Sequence, residues 1–216
     1  MSWQHLGAAA LFARDATTVE RTPLTTRLEG EQFVRHRACV TGAILSATAF
    51  LEAVINELFA DLSDAHVAHL HLLDSEVQEL MAEMWQRGVP RTASYSVVEK
   101  FEIALTLARR ELLARSERLH ADVVSLSRLR NALIHYEPTW ESSADRHDFE
   151  KRLRDRFAPN AHAGQGNPFW PDKCLGAGCA RWAVATALSF ADDFFKRLSI
   201  PAPYESHRQE FVVEEA

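Results

Sequence analysis

The segment from residue 129 to residue 138, LRNALIHYEP, contains the side chains that could act on a phosphate ester. Arg130 precedes His135 by five residues, and the polar Asn131 follows the arginine directly. A guanidinium binds phosphate oxygens through paired, charge-assisted hydrogen bonds. An imidazole can take or give a proton near neutral pH. The segment therefore indicates acid–base chemistry at a phosphate, which needs no metal ion.

The spacing of Arg130 and His135 restricts how they can share one site. Five residues along a regular helix separate two side chains by about 140° and about 7.5 Å along the axis. They meet only if the helix ends or distorts there, or if a second copy of the segment completes the site. Pro138 predicts such an end. We expect Arg130 to continue the apolar stripe of Leu126 and Leu133, with its guanidinium facing a cleft.

The R-N-x-x-x-H pattern near a helix end resembles the RxxxxH motif of the HEPN superfamily, the higher eukaryotes and prokaryotes nucleotide-binding domain. In general character the resemblance extends from about residue 35 to residue 198, and its specific part is the motif itself. Many HEPN proteins are metal-independent endoribonucleases of toxin and antiviral defence systems. They act as homodimers in which both motifs line one cleft. The resemblance implies a HEPN-like fold, RNA as the substrate and a second copy of the chain.

The resemblance also implies a role for each residue of the motif. Arg130 and His135 would be the catalytic pair, and Asn131 would be the supporting polar residue. In one toxin branch of the superfamily, a tyrosine two positions after the histidine is a modification target. Here Tyr136 follows the histidine directly and is a further supporting candidate, whereas Glu137 occupies the second position, so the chain departs from that branch.

Three functions remain open at this point. In the first, His135 activates a ribose 2′-hydroxyl and Arg130 stabilises charge on the scissile phosphate, with an antitoxin or defence-system partner as a further expectation. The second is a catalytically inactive HEPN-like module that binds a nucleotide, RNA or a protein. The third is a structural helical protein, in which Arg130 caps a carboxylate and His135 packs against Trp140.

Glu52 and Asn56 are the supporting candidates outside the motif. They lie one turn apart on the first long predicted helix and off its main apolar stripe, where they could orient Arg130 or His135. A solvent-facing position or a buried structural hydrogen bond is the more common explanation for such residues.

Two clusters of potential metal ligands are weaker candidates. His66, His69 and His71 could bind zinc, but no carboxylate or cysteine joins them at helical spacing, which favours a solvated turn. Cys174 and Cys179 form a C-x4-C pair without a second pair, which favours packing at the start of a helix. We therefore expect neither a metal ion nor a cofactor.

Apolar residues recur at steps of three and four along most of the chain, and sustained alternation is missing, so the sequence predicts an all-α bundle of long antiparallel helices. The predicted division has three parts. Residues 1–31 are irregular, residues 32–200 form the helical domain with a Pro, Gly and aromatic loop at 158–178, and residues 201–216 are a mobile acidic tail. The predicted helices extend over 32–62, 77–85, 97–133 with a break near Ser116 as an alternative, 145–157 and 184–198.

Composition limits the function classes. The 216 residues carry a net charge of −6, which argues against a protein that coats nucleic acid nonspecifically. Three scattered cysteines exclude a disulfide framework and favour a reducing compartment.

The apolar run at 6–13 is too short for a signal peptide, and no uninterrupted run reaches membrane-spanning length. We expect a cytoplasmic protein without a membrane partner, and a homodimer because the first and last long helices are apolar around much of their circumference.

Overall fold

The computed structural model describes residues 1–21, 23, 28–64, 68–91, 94–135 and 144–213, without the side chains of residues 68, 69 and 144–147. This part of the chain is an all-helical bundle without strands, which confirms the predicted fold class. The α-helices are α1 (Ser2–Glu20), α2 (Gly30–Asp64), α3 (Ser75–Gln86), α4 (Val97–Leu107), α5 (Arg118–Ile134), α6 (Ala144–Arg154) and α7 (Ala177–Leu198). Short helical turns occupy Ala68–Leu72, Phe169–Lys173 and Glu205–Phe211.

The centre of the bundle is built by α2 and α7. Both helices place apolar side chains every three or four residues, so each buries a wide face. Contacts fix their direction: Arg37 of α2 lies beside the start of α7, donating to the Leu175 carbonyl at 3.4 Å. Farther along both helices, Phe50 and Phe195 pack against the same ring, Tyr204. The two helices therefore run in the same direction.

The N-terminal segment differs from the predicted irregular region, because residues 2–20 form α1. Its buried positions are mainly alanines, which are strong helix formers but give little apolar periodicity. Ser2 N–H donates to Glu57 at 2.8 Å and Nε2 of His36 lies 2.8 Å from Glu20, so α1 runs antiparallel to α2. A Cβ on Gly42 would lie 2.9 Å from the Phe12 ring. Small residues thus allow a close helix contact that periodicity does not reveal.

The predicted helical block from 97 to 133 is two helices, with the break that the sequence offered near Ser116. The connecting segment is held by Arg197 at the end of α7, which donates to the carbonyls of Glu111 and Leu112, both at 3.3 Å. α5 therefore begins beside the end of α7 and packs antiparallel to it. This places the C-terminal end of α5, with the RxxxxH segment, toward the end of the bundle where α7 begins.

The C-terminal segment also differs from the sequence prediction, since residues 201–213 pack against the bundle. Tyr204 is fully buried and Phe211 is 3% exposed. Arg208 forms a bidentate pair with Asp192 of α7, with distances of 3.0 Å and 2.9 Å. Arg14 of α1 donates to the carbonyls of Glu210 and Val212. Buried aromatic rings and these charge-assisted bonds hold a segment whose composition alone suggests a solvated tail.

The long helix α2 has the length and composition of a membrane span. However, 56% of its most apolar window is buried inside the bundle. The apolar face of α2 is therefore largely used for internal packing, as in the core helix of a soluble protein.

α7 is likewise covered by α1, α2, α4 and α5, so its broad apolar circumference does not need a second subunit. The exposed apolar side chains of the first two helices are Leu11, Phe33, Val34 and Leu45.

Candidate functional site at the end of α5

The apolar stripe of α5 determines which of its side chains face solvent. Val123, Leu126 and Leu129 are fully buried, and they follow one another at three-residue steps on one face. Arg130, one residue farther on, is turned away from this face and is exposed. The expectation that Arg130 continues the stripe with a packed stem is therefore wrong, because Leu129 takes that position.

The helix ends at the histidine. Ile134 is the last residue of α5, and His135 has φ −106° and ψ 50°, outside the helical region. Its backbone N–H still donates to the Asn131 carbonyl at 2.8 Å. The angular separation of a regular helix therefore no longer fixes the direction of the His135 side chain relative to Arg130. The side chains of Asn131 and His135 are exposed as well.

Arg130 is held by a neutral partner. Its Nη1 donates to Oδ1 of Asn131 at 2.9 Å, and within the described part of the chain no carboxylate pairs with it. Arg128, also exposed, has no ion-pair partner in that part either. By contrast, the exposed Arg152 of α6 is paired with Asp148 at 2.9 Å. The positive charge at the end of α5 is thus available to an anion such as a phosphate.

The supporting residues proposed on α2 are used elsewhere. Glu52 accepts a hydrogen bond of 2.5 Å from Lys100 of α4, whose side chain is buried. The Oδ1 atom of Asn56 is buried and lacks a hydrogen-bond partner among the described residues. No described contact joins Glu52 or Asn56 to the end of α5. Tyr136, Glu137, Pro138 and Trp140 lie outside the described residues, so the packing of His135 against Trp140 does too.

The candidate metal ligands do not form a centre in the described structure. His66 and the side chain of His69 lie outside the described part, and His71 is exposed. Cys174 and Cys179 are free and fully buried. Burial raises the pKa of the Cys179 thiol well above its usual value, and the neighbouring Cys174 thiol raises it further. The Cys179 thiol therefore stays protonated and packs as a small apolar group. Among the described side chains, no group of three or more histidine, cysteine or acidic residues could hold a metal ion.

The predicted loop at 158–178 contains the helical turn Phe169–Lys173 and ends earlier than predicted, because α7 begins at Ala177. A polar network holds this segment to the bundle. Asp172 accepts hydrogen bonds from Arg37 at 3.0 Å and from Asn167 at 2.7 Å. Burial lowers the pKa of Arg37, against the opposing effect of the Asp172 charge. A Cβ on Gly178 would lie 2.3 Å from the Ala158 carbonyl oxygen, so only glycine allows this approach. The described contacts of the loop explain how it is fixed against α2 and α7.

Sequence analysis missed a second group of residues around Arg181 and Trp182 on α7. They line a groove together with Arg156, on the side of the bundle next to the C-terminal segment. A signal was present, because Arg181 is the one charged residue in the otherwise apolar or small sequence AGCARWAVATALSFA. It was masked by the strong apolar periodicity of this helix.

Comparison of the chain with protein-family models, with curated proteins and with solved structures finds no match. The functional assignment therefore depends on the side chains and their positions.

Proposed function

We propose that this protein is a metal-independent endoribonuclease of the toxin or defence type, related to the HEPN superfamily and acting in the cytoplasm. One observation carries the proposal. Arg130, Asn131 and His135 are exposed together at one helix end, where the arginine has a neutral partner and the histidine stands outside the helix. This combination offers an anion-binding cation and a titratable base to one external substrate.

In the proposed reaction, the His135 imidazole accepts the proton of a ribose 2′-hydroxyl. The 2′-oxygen then forms a bond to the adjacent phosphorus, and the bond from phosphorus to the 5′-oxygen breaks, with the leaving oxygen taking a proton from water. Arg130 stabilises the charge that develops on the phosphate oxygens. The products are a 2′,3′-cyclic phosphate and a 5′-hydroxyl. DNA has no 2′-hydroxyl and is not cleaved.

A homodimer completes the proposed site. The side chains of one α5 end are exposed rather than enclosed in a cleft, and water-excluded sites strengthen electrostatic catalysis. Ile134, between the two catalytic candidates, is 49% exposed, which supplies an apolar contact for a second copy. An antitoxin or defence-system partner would control the activity by covering the same surface.

Cleavage of mixed RNA in EDTA tests the proposal. We expect the wild type to cleave RNA under these metal-free conditions. His135→Ala and Arg130→Ala are each expected to lower cleavage by a factor of at least about 100. Arg118→Ala, which removes an exposed arginine from the opposite end of the same helix, is the control and should keep most of the activity. Activity that survives His135→Ala, or that needs magnesium and leaves 5′-phosphates, would contradict the mechanism.

The alternative is a catalytically inactive HEPN-like module that binds a nucleotide, RNA or a protein. It is favoured by the lack of a described carboxylate that orients His135, since such a partner normally fixes a catalytic imidazole. In this case gel-shift assays would show RNA binding that weakens in Arg130→Ala, while no RNA is cleaved at any pH.

A further inference from the structure

A groove of about 560 Å³ follows α7 on the side next to the C-terminal segment. We call it the α7 groove. Its size is that of a small-molecule site, since such sites usually enclose about 300 to 1,000 Å³. The charged and large apolar side chains that line it and carry the argument below are Arg156, Phe157, Arg181, Trp182, Leu188 and Phe211.

The charges of the α7 groove have one sign. Two arginines line it, and no acidic residue does among the residues that the structure describes. Arg156 is paired with Asp122 of α5 at 2.8 Å. Arg181, which is only partly exposed, donates to the neutral hydroxyl of Thr17 at 3.1 Å, and no carboxylate in the described part of the chain pairs with it. A partly buried cation without a counter-charge favours an anion beside it.

Trp182 supplies an aromatic wall of the groove. Its side chain lines the groove, only 9% of the residue is exposed, and its Nε1 atom is buried without a hydrogen-bond partner among the described residues. The ring of Phe157 lies 5.3 Å from that of Trp182 at an angle of 47°, so two aromatic surfaces border the same space.

A second depression of about 330 Å³ adjoins the first, because Val213 lines both. Arg14 and Arg21 line it together with two threonines, and none of the described residues around it is acidic. Arginines therefore line both depressions along the seam between α1 and α7. A cleft with one sign of charge and low-dielectric walls concentrates ions of the opposite sign.

We propose that the α7 groove binds a small organic anion with an aromatic body. Its carboxylate, sulfonate or phosphate pairs with Arg181, and its ring lies against Phe157 and Trp182. Leu188 and Phe211 supply the remaining apolar wall. This site shares no residue with the end of α5, so the proposal does not depend on RNA cleavage.

A pair of fluorescent dyes tests the proposal with the full chain. 8-Anilinonaphthalene-1-sulfonate carries the required anion, and N-phenyl-1-naphthylamine has the same ring system without the sulfonate. We expect the anionic dye to bind the native protein saturably at one site per chain. It should bind at least about ten times more tightly than the neutral dye, the gain of one charged hydrogen bond. Equal affinity for the two dyes, or weak binding at many sites, would overturn the proposal.

Three variants locate the bound dye. Arg181→Met keeps the length of the side chain without its charge and should weaken the anionic dye about tenfold, with little effect on the neutral dye. Ala185→Trp adds bulk at an exposed position that lines the groove and should block both dyes. Arg110→Met is the matched control, because Arg110 is exposed and lies outside the groove. Circular dichroism confirms that each variant is folded. Unchanged binding in Arg181→Met and Ala185→Trp, or equal weakening in Arg110→Met, would contradict the site.

A final variant addresses the chain's own end. Val213 leads directly into Glu214 and Glu215, whose acidic side chains could compete for the same arginines. A variant that ends at Val213 should bind the anionic dye about as tightly as the full chain. Binding that is seen only after this truncation would mean that the acidic end is the occupant, and the proposal of an external ligand would be wrong.

Discussion

The hydroxyl of Tyr204 donates a hydrogen bond of 2.9 Å to Oδ1 of Asp192, and Arg208 pairs with the same carboxylate. Tyr204→Phe removes the hydroxyl and leaves the buried ring in place. We expect this change to lower the free energy of unfolding by about 1.5 to 3 kcal/mol, because the lost hydrogen bond has a charged acceptor. Urea unfolding at pH 8 measures the change. A variant as stable as the wild type would show that Arg208 alone satisfies Asp192.

The same tyrosine makes stability depend on pH at the alkaline end. Burial, followed by the negative charge of Asp192, raises the pKa of Tyr204 far above its ordinary value. Because the unfolded tyrosine ionises near pH 10, its contribution is fully present below about pH 10 and is lost as the pH rises toward the folded-state pKa. The stability difference between wild type and Tyr204→Phe should therefore shrink between pH 8 and pH 11. A constant difference would contradict this prediction.

At the end of α5, Arg130 and His135 differ from the core residues of the same helix in what they contribute. Both side chains are exposed, so truncating them creates no cavity. The experiments that concern these two residues therefore measure function, whereas substitutions on the opposite face of α5 measure packing.

At the scale of the element, α5 is fixed by its buried leucines. Leu126→Ala and Leu129→Ala should each lower the free energy of unfolding by about 2 to 5 kcal/mol, because both side chains are fully buried. Leu133→Ala should cost less, since Leu133 is only partly buried. Arg130→Ala and His135→Ala should stay within about 0.5 kcal/mol of the wild type. Thermal and urea unfolding provide these values, and unfolding of Arg130→Ala would make Arg130 a structural residue.

The contact between α1 and α2 depends on Gly42. A Cβ at this position would meet the Phe12 ring at 2.9 Å, whereas a Cβ on Gly7 of α1 would meet no atom closer than 4.0 Å. Alanine is favoured over glycine in both helices by about 0.5 to 1 kcal/mol. Gly7→Ala should therefore be neutral or stabilising, and Gly42→Ala should be less stable than Gly7→Ala by about 1 to 3 kcal/mol. Equal stabilities would show that the Phe12 ring moves aside freely.

At the scale of the whole molecule, the proposed dimer has two candidate faces. Ile134 is 49% exposed at the end of α5, and Leu45 is 38% exposed on α2. A composite active site requires the face at Ile134. We expect light scattering to show a dimer at micromolar concentration, Ile134→Asp to convert it to a monomer, and the matched Leu45→Asp to remain a dimer. A dimer lost only in Leu45→Asp would separate the interface from the α5 site, and a monomeric wild type would exclude a composite site.

The sequence by itself predicts the elements whose signal is local. The apolar residues of α2 recur every three or four positions, and the helix is found nearly at its predicted bounds. The same pattern predicts α7 and its end at Leu198, but α7 begins at Ala177, seven residues before the predicted start at residue 184. The end of α5 at the RxxxxH segment is also local, because it depends on residues within one or two turns. The sequence therefore brings Arg130, Asn131 and His135 to one helix end, although it placed Arg130 on the wrong face.

The tertiary structure decides what depends on residues far apart in the chain. α1 is positioned by the contact of its Phe12 ring with Gly42 of α2, and residues 201–213 are held by Asp192 and Arg14. The structure also assigns Glu52 to Lys100 rather than to the catalytic candidates. The α7 groove combines α7 with residues near 156 and 211. The shape of the α7 groove, the burial of its side chains and the lack of a described carboxylate beside Arg181 all arise from contacts between residues far apart in the chain. A periodic pattern of apolar residues carries no information about such contacts.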